Sequence, residues 1–130
     1  MLKAVNEKFN AYPYRADPAA FDDWSPVNEL GGDCDSYAVG KYRALVAEGF
    51  NAGPLRLAVG YTEPFTVRDA ETELLRDATM DERRHAVLLA DVEGETWVLD
   101  NRHPYPMRYA DLPYKWDRLQ IAGTAKWEMA

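Results

Sequence analysis

Apolar residues recur along the first part of the chain with the spacing of helices. The stretch Leu2–Asn10 predicts a short helix, and the aromatic, proline-punctuated stretch after it, up to residue 30, predicts ordered loops. A second helix is predicted to begin at Cys34 and to end near Gly49, a residue type suited to helix termination. Its apolar stripe contains Ala38, Tyr42, Leu45 and Val46. Three charged residues are expected outside this stripe: Lys41, Arg43 and Glu48.

Beyond residue 50 the pattern changes to one typical of β-strands. Leu55–Tyr61 alternates in the manner of a half-buried strand. Charged residues dominate from Thr62 to Arg84, where we expect a short helix around Ala70–Ala78. Three roles stay open for this segment: a lid, a substrate contact or a solvent-exposed excursion of the chain. The tail from residue 117 to residue 129 predicts a last strand. Helices followed by an antiparallel sheet define an α+β fold.

Two apolar, β-branched runs, His85–Ala90 and Thr96–Asp100, predict a hairpin around a turn at Glu93–Gly94. Facing residues in a hairpin have position numbers with a constant sum, which tests whether His85 and Asp100 can meet. A four-residue loop would place these two residues directly opposite each other. A two-residue loop would make them diagonal neighbours on one face, and a three-residue loop would separate them.

Composition narrows the class of protein. The 130 residues, 47% of them apolar, favour one compact domain over residues 1–130. A net charge of -7 and a pI of 4.8 argue against a nucleic-acid partner, and a single cysteine excludes a disulfide framework or a zinc site of several thiolates. The start lacks the features of a secretory signal, and no apolar run approaches the roughly 20 residues that span a bilayer. We therefore expect a cytoplasmic protein without membrane insertion; a processed periplasmic form, a phage-encoded protein and the oligomeric state stay open.

The one cysteine lies where a helix is predicted to begin, in the stretch GGDCDSYAVGKY. A free thiol ionises near about pH 8.5, and the amides at a helix N-terminus favour the thiolate and are suited to hold an oxyanion. Acyl transfer by a cysteine also needs an imidazole and a group that orients it. His85 and Asp100 have hairpin positions that allow this pairing. His103 precedes a proline and is expected in a loop.

Five segments carry a family resemblance. They are VNEKFN from Val5, DDWSPVNELGGDCDSYAVGKYRAL from Asp22, LRLAVGY from Leu55, HAVLLA from His85 and WVLDN from Trp97. In this order they resemble the bacterial transglutaminase-like cysteine peptidases, which include periplasmic proteases that cleave surface adhesins. The resemblance implies the papain-like core of transglutaminases, with Cys34 as nucleophile, His85 as base and Asp100 as orienting acid. It implies a cysteine peptidase that hydrolyses a peptide bond of a protein or peptide substrate through a thioester.

Calcium is a further implication of the resemblance. In some members the acids that flank the cysteine bind calcium, and Asp33 and Asp35 occupy those positions. The sequence departs from the family pattern at Ser36, where another acid is expected. Asp33 is equally suited to cap the helix, and Asp35 to complement its dipole. The chemistry itself requires no cofactor.

Two residues outside the expected triad are candidate donors to an oxyanion, Asn10 and Trp24, although Trp24 is also suited to core packing. Three other functions stay open. Transglutaminase-type or amidase-type acyl transfer would use the same triad, since the choice of acceptor depends on pocket shape. A non-catalytic interaction module or a calcium-dependent scaffold would keep the fold without needing a reactive thiol.

Overall fold

The computed structural model describes residues 2–12, 34–50, 53–121 and 126–130. The helices in these ranges are α1 (Leu2–Asn10), α2 (Cys34–Ala47) and the short α3 (Met80–Arg83). The two helices predicted from apolar spacing are therefore confirmed, and the second begins at the cysteine.

Eight strands follow one another along the described chain. They are β1 (Leu55–Tyr61), β2 (Thr66–Arg68), β3 (Leu75–Asp77), β4 (Arg84–Val92), β5 (Glu95–Leu99), β6 (Met107–Arg108), β7 (Lys115–Gln120) and β8 (Trp127–Met129). Six of them form one antiparallel sheet in the order β6-β5-β4-β1-β7-β8, and β2 pairs with β3 in a separate hairpin. Helix α2 packs on β4, and α1 packs on α2. This arrangement is the α+β fold that the sequence predicts.

The C-terminus of α2 shows why the helix ends where it does. Gly49 has a φ of +94°, a left-handed conformation that glycine adopts without strain. Its amide donates to the carbonyl of Val46 at 3.0 Å, and the amide of Phe50 donates to the carbonyl of Leu45 at 2.9 Å. These two bonds are a Schellman motif, which satisfies carbonyls that the helix leaves unpaired.

Two predictions about the faces of α2 are wrong. Val46, expected on the apolar stripe, is 41% exposed, whereas Lys41, expected outside it, is fully buried. The buried face contains Ala38, Lys41 and Leu45, which are spaced three and four residues apart as neighbours on one side of a helix. The lysine therefore occupies a core position.

The helix predicted around Ala70–Ala78 is also wrong, because side chains there bond to the backbone instead. Oδ1 of Asp69 accepts from the amides two and three residues further on, at 2.9 and 3.2 Å, and Glu73 has a φ of +60°. Such local bonds compete with helix formation and here produce the β2–β3 turn. The helix in this segment starts later, after Thr79, which forms a capping box with Glu82.

The β4–β5 hairpin has the two-residue turn that places the candidate pair on one face. Val92 pairs with Glu95 and Leu88 pairs with Leu99, so the turn consists of Glu93 and Gly94 alone. These two residues have φ values of 52° and 81°, as a type I′ turn requires. This register makes His85 and Asp100 diagonal neighbours, so the two-residue alternative is confirmed.

Apolar side chains fill both faces of the sheet. One buried cluster lies against the helices and contains Val5, Leu45, Leu55, Leu88, Ala90 and Leu99. The other contains Ala58, Val87, Leu89, Val98, Leu112 and Tyr114. Alternating residues of β4 thus contribute to different clusters, because successive side chains of a strand point to opposite faces.

Candidate active site

His85 and Asp100 form a buried pair at the end of the β4–β5 hairpin. His85 is the second residue of β4, and Asp100 directly follows β5. Nε2 of His85 lies 2.5 Å from Oδ1 of Asp100. His85 is 6% exposed, and Asp100 is fully buried. The carboxylate therefore fixes which nitrogen of the ring faces the protein interior.

Two further donors hold the carboxylate of Asp100. The amide of Arg102 donates to Oδ1 at 2.9 Å, and the hydroxyl of Tyr114 donates to Oδ2 at 2.6 Å. Burial by itself raises the pKa of Asp100, but the hydrogen bond and charge of His85, with these two donors, hold that pKa below its ordinary value. Asp100 is thus an ionised carboxylate with both oxygens engaged.

Tyr114 is a site residue that the sequence reasoning missed. Its ring meets the ring of His85 edge to face, with centroids 5.8 Å apart. Burial, and then the charge of Asp100, raise the pKa of Tyr114, so its phenol keeps the proton that it donates to the carboxylate. Tyr114 precedes β7 in an ordinary LPYKW stretch, and only the fold brings it to Asp100.

Cys34 is the first residue of α2, a helix of 14 residues. Its side chain packs with Val59 and Ala86, and the residue is 8% exposed. The amide of Ala86 donates to the sulfur at 3.4 Å. The sulfur therefore lies beside the backbone of the residue that follows His85, and an amide donor of this kind stabilises the thiolate form.

Two asparagines of α1 hold the loop that contains Asp100. Nδ2 of Asn10 donates to the carbonyls of Asp100 and His103 at 3.1 and 3.0 Å, and Nδ2 of Asn6 donates to the same His103 carbonyl at 3.0 Å. Both amide hydrogens of Asn10 are thereby used, which leaves none for an oxyanion. The expected role of Asn10 as a donor to an oxyanion is therefore corrected: its side chain anchors the loop. Trp24, the other candidate oxyanion donor, lies outside the described residues.

Lys41 brings a charge into the interior behind this loop. Its Nζ donates to Oδ1 of Asn6 at 2.7 Å and lies 5.9 Å from the centroid of the Tyr37 ring. Burial lowers the pKa of Lys41 from 10.5 to about 7, although the charge of Asp100 opposes this shift. The spacing from Ala38 and Leu45 could have revealed the position, but a lysine is rarely fully buried.

A cleft of about 340 Å³ opens next to His85. Three of its lining residues belong to the charged segment between β1 and β4, two begin β4, and two follow Asp100 in sequence. The lining consists of Thr62, Phe65, Glu82, Arg84, His85, Asn101 and Arg102. The segment from Thr62 to Arg84 is therefore a wall of the cleft that contains the imidazole.

The candidate metal ligands cannot be placed within this geometry. Asp33 and the side chain of Asp35 lie outside the described residues. Elsewhere in the described ranges, no group of three or more His, Cys, Asp and Glu side chains could hold a metal ion. Any calcium site of the expected kind would have to include the acids on either side of Cys34.

Residues 1–129 match the family model of the bacterial transglutaminase-like cysteine proteinases, BTLCP. The chain is a member of this family. The BTLCP protein is accordingly a cysteine peptidase of the transglutaminase-like superfamily, as the order of its sequence motifs predicts. Among curated protein sequences, none matches it.

Solved structures of LapG from Legionella pneumophila share the fold of this BTLCP chain. The calcium-bound LapG structure has a TM-score of 0.72 at 24% identity, over 99% of this chain and 67% of LapG. The EGTA-treated LapG structure has a TM-score of 0.66 at 25% identity, over 99% and 70% of the two chains. The likeness confirms the transglutaminase-like fold. In the part of the chain that the structure describes, no helix is both long and apolar enough to cross a membrane.

Proposed function

We propose that this cysteine peptidase hydrolyses peptide bonds of a protein substrate with Cys34 as nucleophile, His85 as general acid and base, and Asp100 as the group that orients the imidazole. The observation that carries the proposal is the buried pair at 2.5 Å between His85 and Asp100, with the sulfur of Cys34 bonded to the amide next to His85. A nucleophile, a base and an orienting acid are the three parts that thiol acyl transfer needs.

Acylation begins with the thiolate of Cys34 attacking the substrate carbonyl carbon. Because Asp100 holds Nε2 of His85, Nδ1 is the ring nitrogen that exchanges protons with the thiol and the substrate. As the tetrahedral intermediate collapses, the imidazolium gives its proton to the leaving amine, and the carbon–nitrogen bond breaks. The products of this half-reaction are a thioester on Cys34 and a free amine.

Deacylation uses the same residues in reverse. Neutral His85 takes a proton from water as the water oxygen attacks the thioester carbonyl. The carbon–sulfur bond breaks, the carboxylic acid leaves, and the thiolate–imidazolium pair is restored. If a substrate amine replaces water, the same steps form a new amide, which is the transglutaminase-type outcome.

The cleft supports a polypeptide as substrate. Phe65 offers an apolar surface on one wall, with 38% of the residue exposed. On another wall, Oδ1 of Asn101 is buried and has no hydrogen-bond partner among the described residues. A buried acceptor of this kind is costly unless it is paired, and a backbone amide of a bound peptide would supply the missing donor.

The decisive experiment compares cleavage of a whole proteome by the wild type, Cys34→Ala, His85→Ala and a matched control, Arg43→Met, on an exposed position of α2. We expect new peptide termini with the wild type and the control only. Iodoacetamide should alkylate Cys34 at half-maximal rate well below about pH 8.5, and His85→Ala should remove this reactivity. Ordinary thiol titration with no difference in termini would instead favour a non-catalytic module.

Calcium binding is the second part of the proposal. LapG has been solved in a calcium-bound form, and Asp33 and Asp35 flank Cys34 in this sequence. Calcium takes six to eight oxygen ligands in general, so backbone carbonyls and water would complete the set around two carboxylates. In Cys34→Ala, we expect Ca²⁺ but not Mg²⁺ to raise the melting temperature, and Asp35→Asn to abolish the increase. An equal melting temperature in Ca²⁺ and in chelator would refute calcium binding.

A further inference from the structure

Lys41 is the only fully buried cation among the described residues. It lies on the inner face of α2, where burial of an unpaired charge is strongly unfavourable. Among the described residues its Nζ has one hydrogen-bond acceptor, Oδ1 of Asn6, and it lies near the ring of Tyr37. A methionine or leucine would fill the same volume without this cost, so the presence of a lysine calls for a functional explanation.

The groups that face Lys41 point to the carboxylate of the candidate triad. Among the described residues, Asp100 at the end of β5 is the charged group whose field acts on the ammonium, and it opposes the lowering of the Lys41 pKa by burial. Helix α1 presents the neutral Asn6 to it, while the charged residues of that helix are exposed: Lys3, Glu7 and Lys8. The groups around Asp100 itself are His85, Tyr114, Arg102 and His103.

A physical link also connects the lysine to the loop that contains Asp100. Lys41 bonds Oδ1 of Asn6, and Nδ2 of the same amide bonds the carbonyl of His103. Nδ2 of Asn10 bonds the carbonyls at both ends of the loop, those of Asp100 and His103. The ammonium thereby fixes the orientation of the Asn6 amide, since a flipped amide would direct its NH₂ group at a cation.

We propose that Lys41 is a positioning residue of the active site: its buried positive charge, held on Asn6, balances the negative charge of Asp100, so that His85 can release its proton to the leaving group. The inference rests on the proposed triad. Without Lys41, the unbalanced carboxylate would hold the imidazolium as a stable ion pair, and proton donation would be slower. Lys41 itself touches no substrate and acts through Asp100.

Two small esters test this idea without knowledge of the natural substrate. Phenyl acetate has a poor leaving group that depends on proton donation, whereas p-nitrophenyl acetate has a good one that does not. We expect Lys41→Met to lower kcat/KM for phenyl acetate about tenfold at pH 6, a change that the loss of one buried unit charge can produce in a protein interior. The rate with p-nitrophenyl acetate should change less than twofold. Arg43→Met, which removes an exposed cation of the same helix, should change neither rate.

The pH dependence separates charge from packing. The pKa of Lys41 is lowered to about 7, so the ammonium is charged below this pH and neutral above it. The ratio of wild-type to Lys41→Met rates for phenyl acetate should therefore fall toward one as the pH rises from 6 to 8.5. A purely structural lysine would give a ratio that does not vary with pH, which would overturn the inference.

A second variant at the same position controls for a folding defect in Lys41→Met. Lys41→Gln removes the charge and offers a shorter, neutral donor toward Asn6, so it should behave as Lys41→Met does. Wild-type rates in Lys41→Gln would show that the hydrogen bond alone matters and would also overturn the inference. Cys34→Ala and His85→Ala report on the triad separately. If they keep full activity, the proposed function fails; if they are inactive while both Lys41 variants match the wild type, only the role of Lys41 fails.

Discussion

Replacement of the buried lysine should make the protein more stable, even though we expect it to impair catalysis. Lys41→Met removes a charge whose pKa the fold lowers from 10.5 to about 7. Because an unfolded lysine keeps its ordinary pKa, this shift corresponds to about 5 kcal/mol of destabilisation of the folded state at low pH. Methionine leaves Oδ1 of Asn6 without its donor, which costs about 1–3 kcal/mol and reduces the expected gain to about 2–4 kcal/mol. We expect Lys41→Met to raise the free energy of unfolding by an amount in this range at pH 6.

The sign of the pH dependence follows from proton binding. Between pH 7 and pH 10.5 the unfolded chain keeps the Lys41 proton and the folded protein releases it, so the lysine destabilises the fold less as the pH rises. The stability advantage of Lys41→Met should thus be constant below pH 7 and shrink by about 1.4 kcal/mol per pH unit above it. Urea unfolding at pH 6, 7.5 and 9, followed by tryptophan fluorescence, measures both quantities. The reasoning would be refuted if Lys41→Met were less stable than the wild type. It would also be refuted if the gain in stability were equal at all three pH values and Arg43→Met showed the same gain.

Asp100→Asn should lower kcat by up to about ten-thousandfold, because an amide lacks the negative charge of the carboxylate and can donate to the ring and hold the wrong tautomer; peptide cleavage assays would show otherwise if activity stayed within tenfold. Tyr114→Phe removes a 2.6 Å bond to the same buried carboxylate and should cost about 1.5–3 kcal/mol in urea unfolding, so an unchanged midpoint would count against that bond. Phe65→Ala should raise KM severalfold and leave kcat unchanged, with the exposed Leu74→Ala as control; equal KM values would remove the cleft wall from substrate binding. Gly60→Ala should lower the melting temperature, since its Cβ would lie 3.0 Å from the carbonyl oxygen of Lys115, the residue before its partner Trp116 on β7.

The elements that sequence could predict are those whose signals are local. Cys34 begins a helix because the apolar spacing starts there, and Gly49 ends it because its left-handed conformation completes a Schellman motif. The pairing of His85 with Asp100 could be derived because a two-residue turn at Glu93–Gly94 fixes all later partners. In each case one short segment determines the outcome.

Other features depend on which distant elements pack together, and sequence reasoning missed or misplaced them. Lys41 is buried because α1 packs on α2 and supplies its hydrogen-bond partner, Asn6, from 35 positions away in sequence. The segment after Asp69 has helical composition, but its aspartate bonds the turn backbone and overrides that preference. Tyr114 reaches Asp100 only because β7 joins the far side of β1 and the chain before it crosses back toward the hairpin. Helix and strand propensities and the spacing of apolar residues do not indicate such long-range contacts.

The tight turn between β4 and β5 also restricts how this chain can diverge in length. Because side chains alternate between faces, one extra residue within β5, with the two-residue turn kept, would move Asp100 to the face opposite His85 and separate the pair. Two extra residues would restore the shared face. Active proteins that share this hairpin should therefore differ between the turn and the aspartate by even numbers of residues, and an odd difference would mark a copy that has lost the pair or compensated with a bulge.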